Sequence, residues 1–142
     1  MENPNQNQVR EIFTTEIGKF YFLDRIVIGE IDHGATLTYQ KSLEVIEKAK
    51  KMYGEKTNLA YISNRINPYS VRPTDWLKIY SLKKSNVVSF SIVTSSQSSW
   101  ANLLLERYFC DTNVNVFNTL SKAISFSKTI LDSLEQHKTK AS

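Results

Sequence analysis

Residues 25–32 read Arg25-Ile26-Val27-Ile28-Gly29-Glu30-Ile31-Asp32. In an extended chain successive side chains point to opposite faces, so Val27 and Ile31 fall on one side and Ile26 and Ile28 on the other. The stretch therefore reads as a strand that is apolar on both faces. Just before it, residues 20–23 are aromatic and apolar and favour a strand as well. Asp24-Arg25 between the two reads as a tight turn, and the pair is predicted to form an antiparallel hairpin. Weak alternation over residues 10–17 suggests the start of a further strand.

Beyond the hairpin the period changes. Tyr39, Leu43, Ile46, Ala49 and Tyr53 recur at helical spacing, with Val45 and Met52 widening the stripe. Thr36 or Thr38 can cap this helix, and Gly54 stops it. Glu44/Lys48 and Glu47/Lys51 are i,i+4 pairs on its opposite face. Residues 59–63, Leu-Ala-Tyr-Ile-Ser in order, are a short apolar run and read as a buried central strand. Residues 65–73, with Pro68 and Pro73, read as a loop longer than most connections.

Thr74 then caps a second helix, with Asp75 in its first turn and Trp76, Leu77, Ile79, Tyr80 and Leu82 on its buried side. Residues 87–93 are the strongest strand. Thr94 with Gln97 has capping-box spacing, while Ser95 or Ser96 is an alternative cap. The helix that follows runs to about residue 109 on Trp100, Leu103, Leu104 and Tyr108. A last short strand covers 114–117. Asn118 or Thr119 caps a final helix to about residue 134, with Leu120, Ala123, Ile124, Ile130 and Leu131 inward. The predicted order is β-β-α-β-α-β-α-β-α, an α/β domain over residues 10–135 with mobile ends at 1–9 and 136–142. Strand–helix–strand units of this length require parallel pairing and right-handed crossovers.

Composition narrows the function classes. The chain has 142 residues, 41% of them hydrophobic, which fits one domain with a real core. A lone cysteine, Cys110, excludes an internal disulfide and any C-x-x-C pair, and it reads as a buried packing residue. No signal peptide is apparent and no apolar run spans a membrane, so a cytoplasmic protein is expected. Four glycines are too few and too scattered for a G-x-G-x-x-G or P-loop. The formal net charge is +4, and residues 65–84 alone hold five basic groups (Arg65, Arg72, Lys78, Lys83, Lys84) against Asp75. So local an excess makes nucleic acid an unfavoured partner, because a nucleic-acid-coating protein would spread Lys and Arg along the chain.

The hairpin feeding a βα repeat resembles the STAS-like fold, the fold of sporulation anti-sigma-factor antagonists. The run Tyr61-Ile62-Ser63-Asn64-Arg65-Ile66-Asn67-Pro68-Tyr69-Ser70-Val71-Arg72-Pro73-Thr74-Asp75-Trp76-Leu77 is similar to small STAS-like proteins of Bacteroidetes-type bacteria. The resemblance covers residues 18 to about 127 in element order and is specific in sequence only over 61–77. It implies a mixed sheet flanked by helices, no enzyme activity, no cofactor, and a role in protein recognition or signalling. A related group is likened to CRAL-TRIO lipid-transfer domains, which implies a carrier or sensor of a small apolar ligand as the alternative. Anti-sigma-factor antagonists carry a phosphorylatable Ser in a D-S-x-G motif at a helix start. Here that start reads Arg72-Pro73-Thr74-Asp75, without the Asp-Ser or the Gly, so Ser70 and Thr74 are the nearest phospho-acceptor candidates.

In an open α/β sheet, ligands sit beyond the carboxyl ends of parallel strands. If the strands at 59–63 and 87–93 are parallel neighbours, the loops after them meet at one edge. Asn64, Arg65, Asn67, Tyr69, Ser70, Arg72, Thr74, Ser95 and Ser96 are then the candidate residues for a protein partner or an anionic group. Helix N-termini there would suit an anion. The same hydroxyls also serve as ordinary helix caps, and Lys78, Lys83 and Lys84 as a solvated face. His33, in Asp32-His33-Gly34, reads as a turn residue, since His137 is the only other histidine and no nucleophile elbow is present. Glu30 and Asp32 share a strand face without a second acidic pair, and no metal site is expected. The consecutive aromatics Phe20, Tyr21 and Phe22 cannot all face one side. An uncovered sheet face would make either a homodimer surface or an apolar pocket.

Overall fold

The computed structural model describes residues 8–65, 70–71, 87–94 and 114–141. Its main sheet has six strands: β1 (Glu11–Thr15), β2 (Gly18–Phe22), β3 (Ile26–Ile31), β5 (Leu59–Asn64), β7 (Val87–Val93) and β8 (Val114–Phe117), in the order β1-β2-β3-β5-β7-β8. The first three pair antiparallel. From β3 onward every pairing is parallel, as the crossover argument requires. Two short strands, β4 (Thr36–Leu37) and β6 (Ser70–Val71), form a separate parallel ribbon. The described helices are α1 (Tyr39–Tyr53) and α2 (Leu120–Ala141).

The mixed α/β sheet is as expected, but the element order is richer than predicted. The hairpin read from sequence is β2–β3, and β1 adds a third antiparallel strand. The ribbon of β4 and β6 was not anticipated: a two-residue strand is too short to show a period, and β6 lies inside the stretch read as loop. The helices predicted over 74–84 and 95–109, and Cys110, fall outside the described residues.

Alternation in β3 organises both layers. Val27 and Ile31 pack with Phe20, Phe22, Leu37, Leu59 and the α1 residues Val45 and Ala49. Ile26 and Ile28 pack on the other side with Leu23, Ala60, Ile62, Val93 and the α2 residues Leu120, Ala123, Ile124 and Leu131. Each of the larger aliphatic and aromatic side chains among them contributes about 1.5–3 kcal/mol on burial. The helices thus lie on opposite faces, α1 beside β2 and β3, and α2 over β5, β7 and β8.

Of the two cap candidates the structure uses Thr38, whose Oγ1 accepts from the Lys41 N–H at 3.3 Å; Thr36 is committed to the β4–β6 pair. The buried seam of α1 is Val45–Ala49, with Met52 and Tyr53 partly buried beside it, so the helix is rotated slightly from the predicted stripe. Small Ala49 at the centre permits close approach to the sheet. Lys48 reaches Glu11 at 2.8 Å and Glu44 lies 3.6 Å from Lys41, which replaces the anticipated Glu44/Lys48 pair with a tie between α1 and β1. Gly54, at φ +97°, ends the helix by donating its N–H to the Lys50 carbonyl.

Helix α2 begins where Thr119 accepts from the Lys122 N–H, and it runs to Ala141 rather than ending near 134. The polar stretch after 134 lacks the apolar period that marks a packed helix, yet it holds no Gly or Pro to stop one. Ser127 occupies the buried line that Ile130 was expected to fill, donating its hydroxyl hydrogen to the Ala123 carbonyl at 2.8 Å. At the other end of the chain, Val9 packs partly buried against the α2-side core, so ordered structure begins before residue 10.

Gly29 is required by a close approach. A Cβ there would collide with the Tyr61 hydroxyl and the Phe20 ring. The Tyr61 ring in turn stacks on Phe90 with centroids 5.3 Å apart.

Candidate recognition edge

Parallel registration brings the carboxyl ends of the strands level. Gly29 is opposite Ser63, Asn64 is opposite Val93, and Val93 is opposite Phe117. The ladder continues one step past the strands: the Arg65 N–H donates to the Val93 carbonyl at 2.9 Å and the Thr94 N–H to the Phe117 carbonyl at 3.0 Å. The predicted neighbourhood of the two loops is thereby met at their first residues. Asn64, Arg65 and Thr94 thus lie next to one another along the paired backbone at this edge.

All three are buried, with relative exposures of 1, 9 and 8%. Arg65 therefore sits at the base of the basic segment, not on a solvated face. Ser70 belongs to β6 and pairs with Thr36. Asn67, Tyr69, Arg72, Thr74, Ser95 and Ser96 lie outside the described residues, as do Lys78, Lys83 and Lys84.

Sequence reasoning missed the role of Glu30. It is 6% exposed and faces the α2 side of the sheet, next to Asn64. The Asn64 Nδ2 donates to Glu30 Oε1 at 3.4 Å, and the Tyr21 hydroxyl faces the same carboxylate. Lys19, the cross-strand partner of Glu30 on β2, adds a favourable charge. Burial nevertheless dominates and pushes the carboxyl pKa above its ordinary value, with the Asn64, Tyr21 and Lys19 contacts pulling it back. The Tyr21 hydroxyl is raised too, first by burial and then by the Glu30 charge it faces. Asp32 does not share this environment; it lies past the end of β3 and is exposed. The signal for Glu30 was present in the sequence: a carboxylate set between isoleucines in a strand that is apolar on both faces.

His33 sits in an exposed turn closed by the Ala35 N–H on the Asp32 carbonyl, as expected. Among the described residues no cluster of three or more His, Cys, Asp or Glu side chains could hold a metal ion, and no helix is long and apolar enough to cross a membrane. Two further polar side chains lie under α2. The hydroxyls of Ser89 and Ser91 are buried and find no hydrogen-bond partner among the described residues.

Fold and edge together define a mixed α/β protein whose parallel strands end in buried polar side chains. Among solved structures, the chain is similar to an uncharacterised protein of the DUF3478 family with a SpoIIAA-like fold from Shewanella loihica PV-4, with 13% identity and a TM-score of 0.46 over 82% of this chain and 90% of that one. No family model matches the chain, and no curated protein matches it.

Proposed function

We propose that the protein is a non-enzymatic recognition module of STAS-like type, acting in protein–protein recognition or signalling. The contact surface is the segment 64–74 and the helix predicted after it, rooted on the carboxyl edge of the parallel strands. The observation that supports this reading is the placing of buried Asn64, Arg65 and Thr94 next to one another along the edge where β5 and β7 end side by side. A rigid base of this kind holds the start of the basic segment in one orientation, and crevices outside strand carboxyl ends are the usual binding places of open α/β sheets. The local charge excess favours an acidic partner surface.

The test is a titration of isotopically labelled protein with an acidic peptide, followed by amide chemical shifts. Shifts are expected at Arg65 and Thr94 and their neighbours. They are expected to weaken in Arg72→Ala and further in Arg65→Ala/Arg72→Ala, with melting temperatures recorded to separate binding from folding. Shifts confined to other parts of the sheet, or unchanged by both variants, overturn the proposal.

A further inference from the structure

We propose that Glu30 is a proton switch for the recognition edge: the charge state of its carboxyl passes through Asn64 to the start of the basic segment, so that an acidic partner binds more tightly when Glu30 is neutral. The binding half of this inference rests on the function proposed above; the switch itself does not. Glu30 lies one residue short of the end of β3 and is 6% exposed. Its described partners come from the strands on either side. On β2, Lys19 lies opposite it in the pairing register and is exposed, and the Tyr21 hydroxyl faces it. On β5, the Asn64 Nδ2 donates to its Oε1 at 3.4 Å. The α2 residues packed on this face of the sheet, Leu120, Ala123 and Ile124, are apolar. Asp32, two residues further on, is exposed past the strand end. Among the described residues, then, the charge set against this buried carboxylate is one exposed lysine, and burial outweighs it in holding the proton.

The partners suit both charge states. An ionised carboxylate only accepts hydrogen bonds, and the Asn64 amide nitrogen and the Tyr21 hydroxyl are both donors. A neutral carboxyl must also place an O–H, and Asn64 carries an amide oxygen on the same side chain. Proton uptake thus favours a half-turn of the Asn64 amide, which reverses the sense of its contact with Glu30. Arg65 follows Asn64 directly, with its N–H held on the Val93 carbonyl at 2.9 Å, so the change arises at the foot of the segment 64–74. Coulomb's law gives the sign. A negative charge at Glu30 repels an anionic group brought to the strand ends, and a proton removes that repulsion. By linkage, affinity for an anion is high while Glu30 is neutral and falls as pH rises through the raised carboxyl range.

Two measurements on the full chain test this. The first needs no ligand: the carbon-13 shift of the Glu30 carboxyl and the amide shifts of Asn64, Arg65 and Thr94 are followed against pH, from below the ordinary carboxylate range to above neutrality. The amide shifts are expected to track the carboxyl titration, to do so at higher pH in Tyr21→Phe and in Lys19→Met, and to lose that transition in Glu30→Gln. His33→Gln is expected to leave it in place, which separates the switch from the histidine of the next turn. The second is calorimetric titration with an acetylated, amidated sulfotyrosine peptide, whose charge is constant over this range. Its Kd is expected to weaken by roughly threefold to tenfold from low to high pH in the wild type and to change little in Glu30→Gln. Amide shifts that ignore the Glu30 titration, or keep their transition in Glu30→Gln, overturn the proposal, as does an affinity with the same pH dependence in both proteins. A peptide that binds neither protein at any pH overturns the reading of the edge as an acidic-partner surface, and the first measurement then decides the switch by itself.

Discussion

The two ends of the parallel strands are built differently. At the amino end of β3, Arg25 reaches Glu135 at 2.6 Å and Asp132 at 3.5 Å, tying the turn between β2 and β3 to the far end of α2. Its carbonyl accepts the Ala60 N–H, and the Tyr53 hydroxyl donates to the Leu23 carbonyl. Charged groups here answer one another at the surface while backbone groups are closed off. At the carboxyl end the polar side chains of Glu30, Asn64, Arg65 and Thr94 are taken out of water. Withdrawing such groups from water gains little stability over apolar side chains of similar size, because desolvation offsets the contacts made. One end fastens the layers, and the other holds polar side chains out of water.

Five substitutions break or sharpen this contrast. The largest effect belongs to the ground between the ends: Ile62→Ala, in the fully buried middle of β5, is expected to cost about 2–5 kcal/mol by urea denaturation, and a loss well below that range would show a loose core. At the fastening end, Arg25→Ala is expected to cost about 1 kcal/mol, because its carboxylate partners are largely exposed. Arg25 holds φ at +61°, so Arg25→Gly loses the same ion pairs but relieves the backbone and should cost less than Arg25→Ala.

At the polar end, Glu30→Gln is read against pH. The folded state raises the carboxyl pKa, so the stability Glu30 contributes is fully present below the ordinary carboxylate range and is lost as pH rises through the raised value. Urea midpoints of the wild type should therefore fall across that window more steeply than those of Glu30→Gln; parallel curves would show that burial is not what shifts the group. The smallest effect is expected from Ser91→Ala, which removes a buried hydroxyl without a partner among the described residues and should be neutral or stabilising by up to about 1 kcal/mol.

Much of this architecture is legible in the sequence where the period is long. Helix α1 ends at its predicted glycine, and β5, β7 and β8 lie where their apolar runs place them, in the parallel order that short crossovers impose. What escaped reading has a physical reason in each case. The β4–β6 ribbon is too short for periodicity. The end of α2 carries good helix formers with no face to bury, so no stripe marks it. At the edge, the strand ends predict that the two loops begin side by side, with Asn64 and Arg65 among the candidates, whereas Thr94 reads only as a helix cap. The partnership of Glu30 with Asn64 and Tyr21 depends on registers between β2, β3 and β5 that no local pattern encodes.

Among the described residues, strand β3 is the one place where antiparallel and parallel pairing share a backbone. Its β2 side closes a loop of a few residues, whereas its β5 side must wait for all of α1 to be traversed. Loop-closure entropy makes the first contact fast and the second slow. The meander of β1 to β3 also precedes β5 in the chain and is synthesised before it. Substitutions in the turn at Asp24-Arg25 are therefore expected to slow refolding, followed by stopped-flow fluorescence, more than equally destabilising ones in β8.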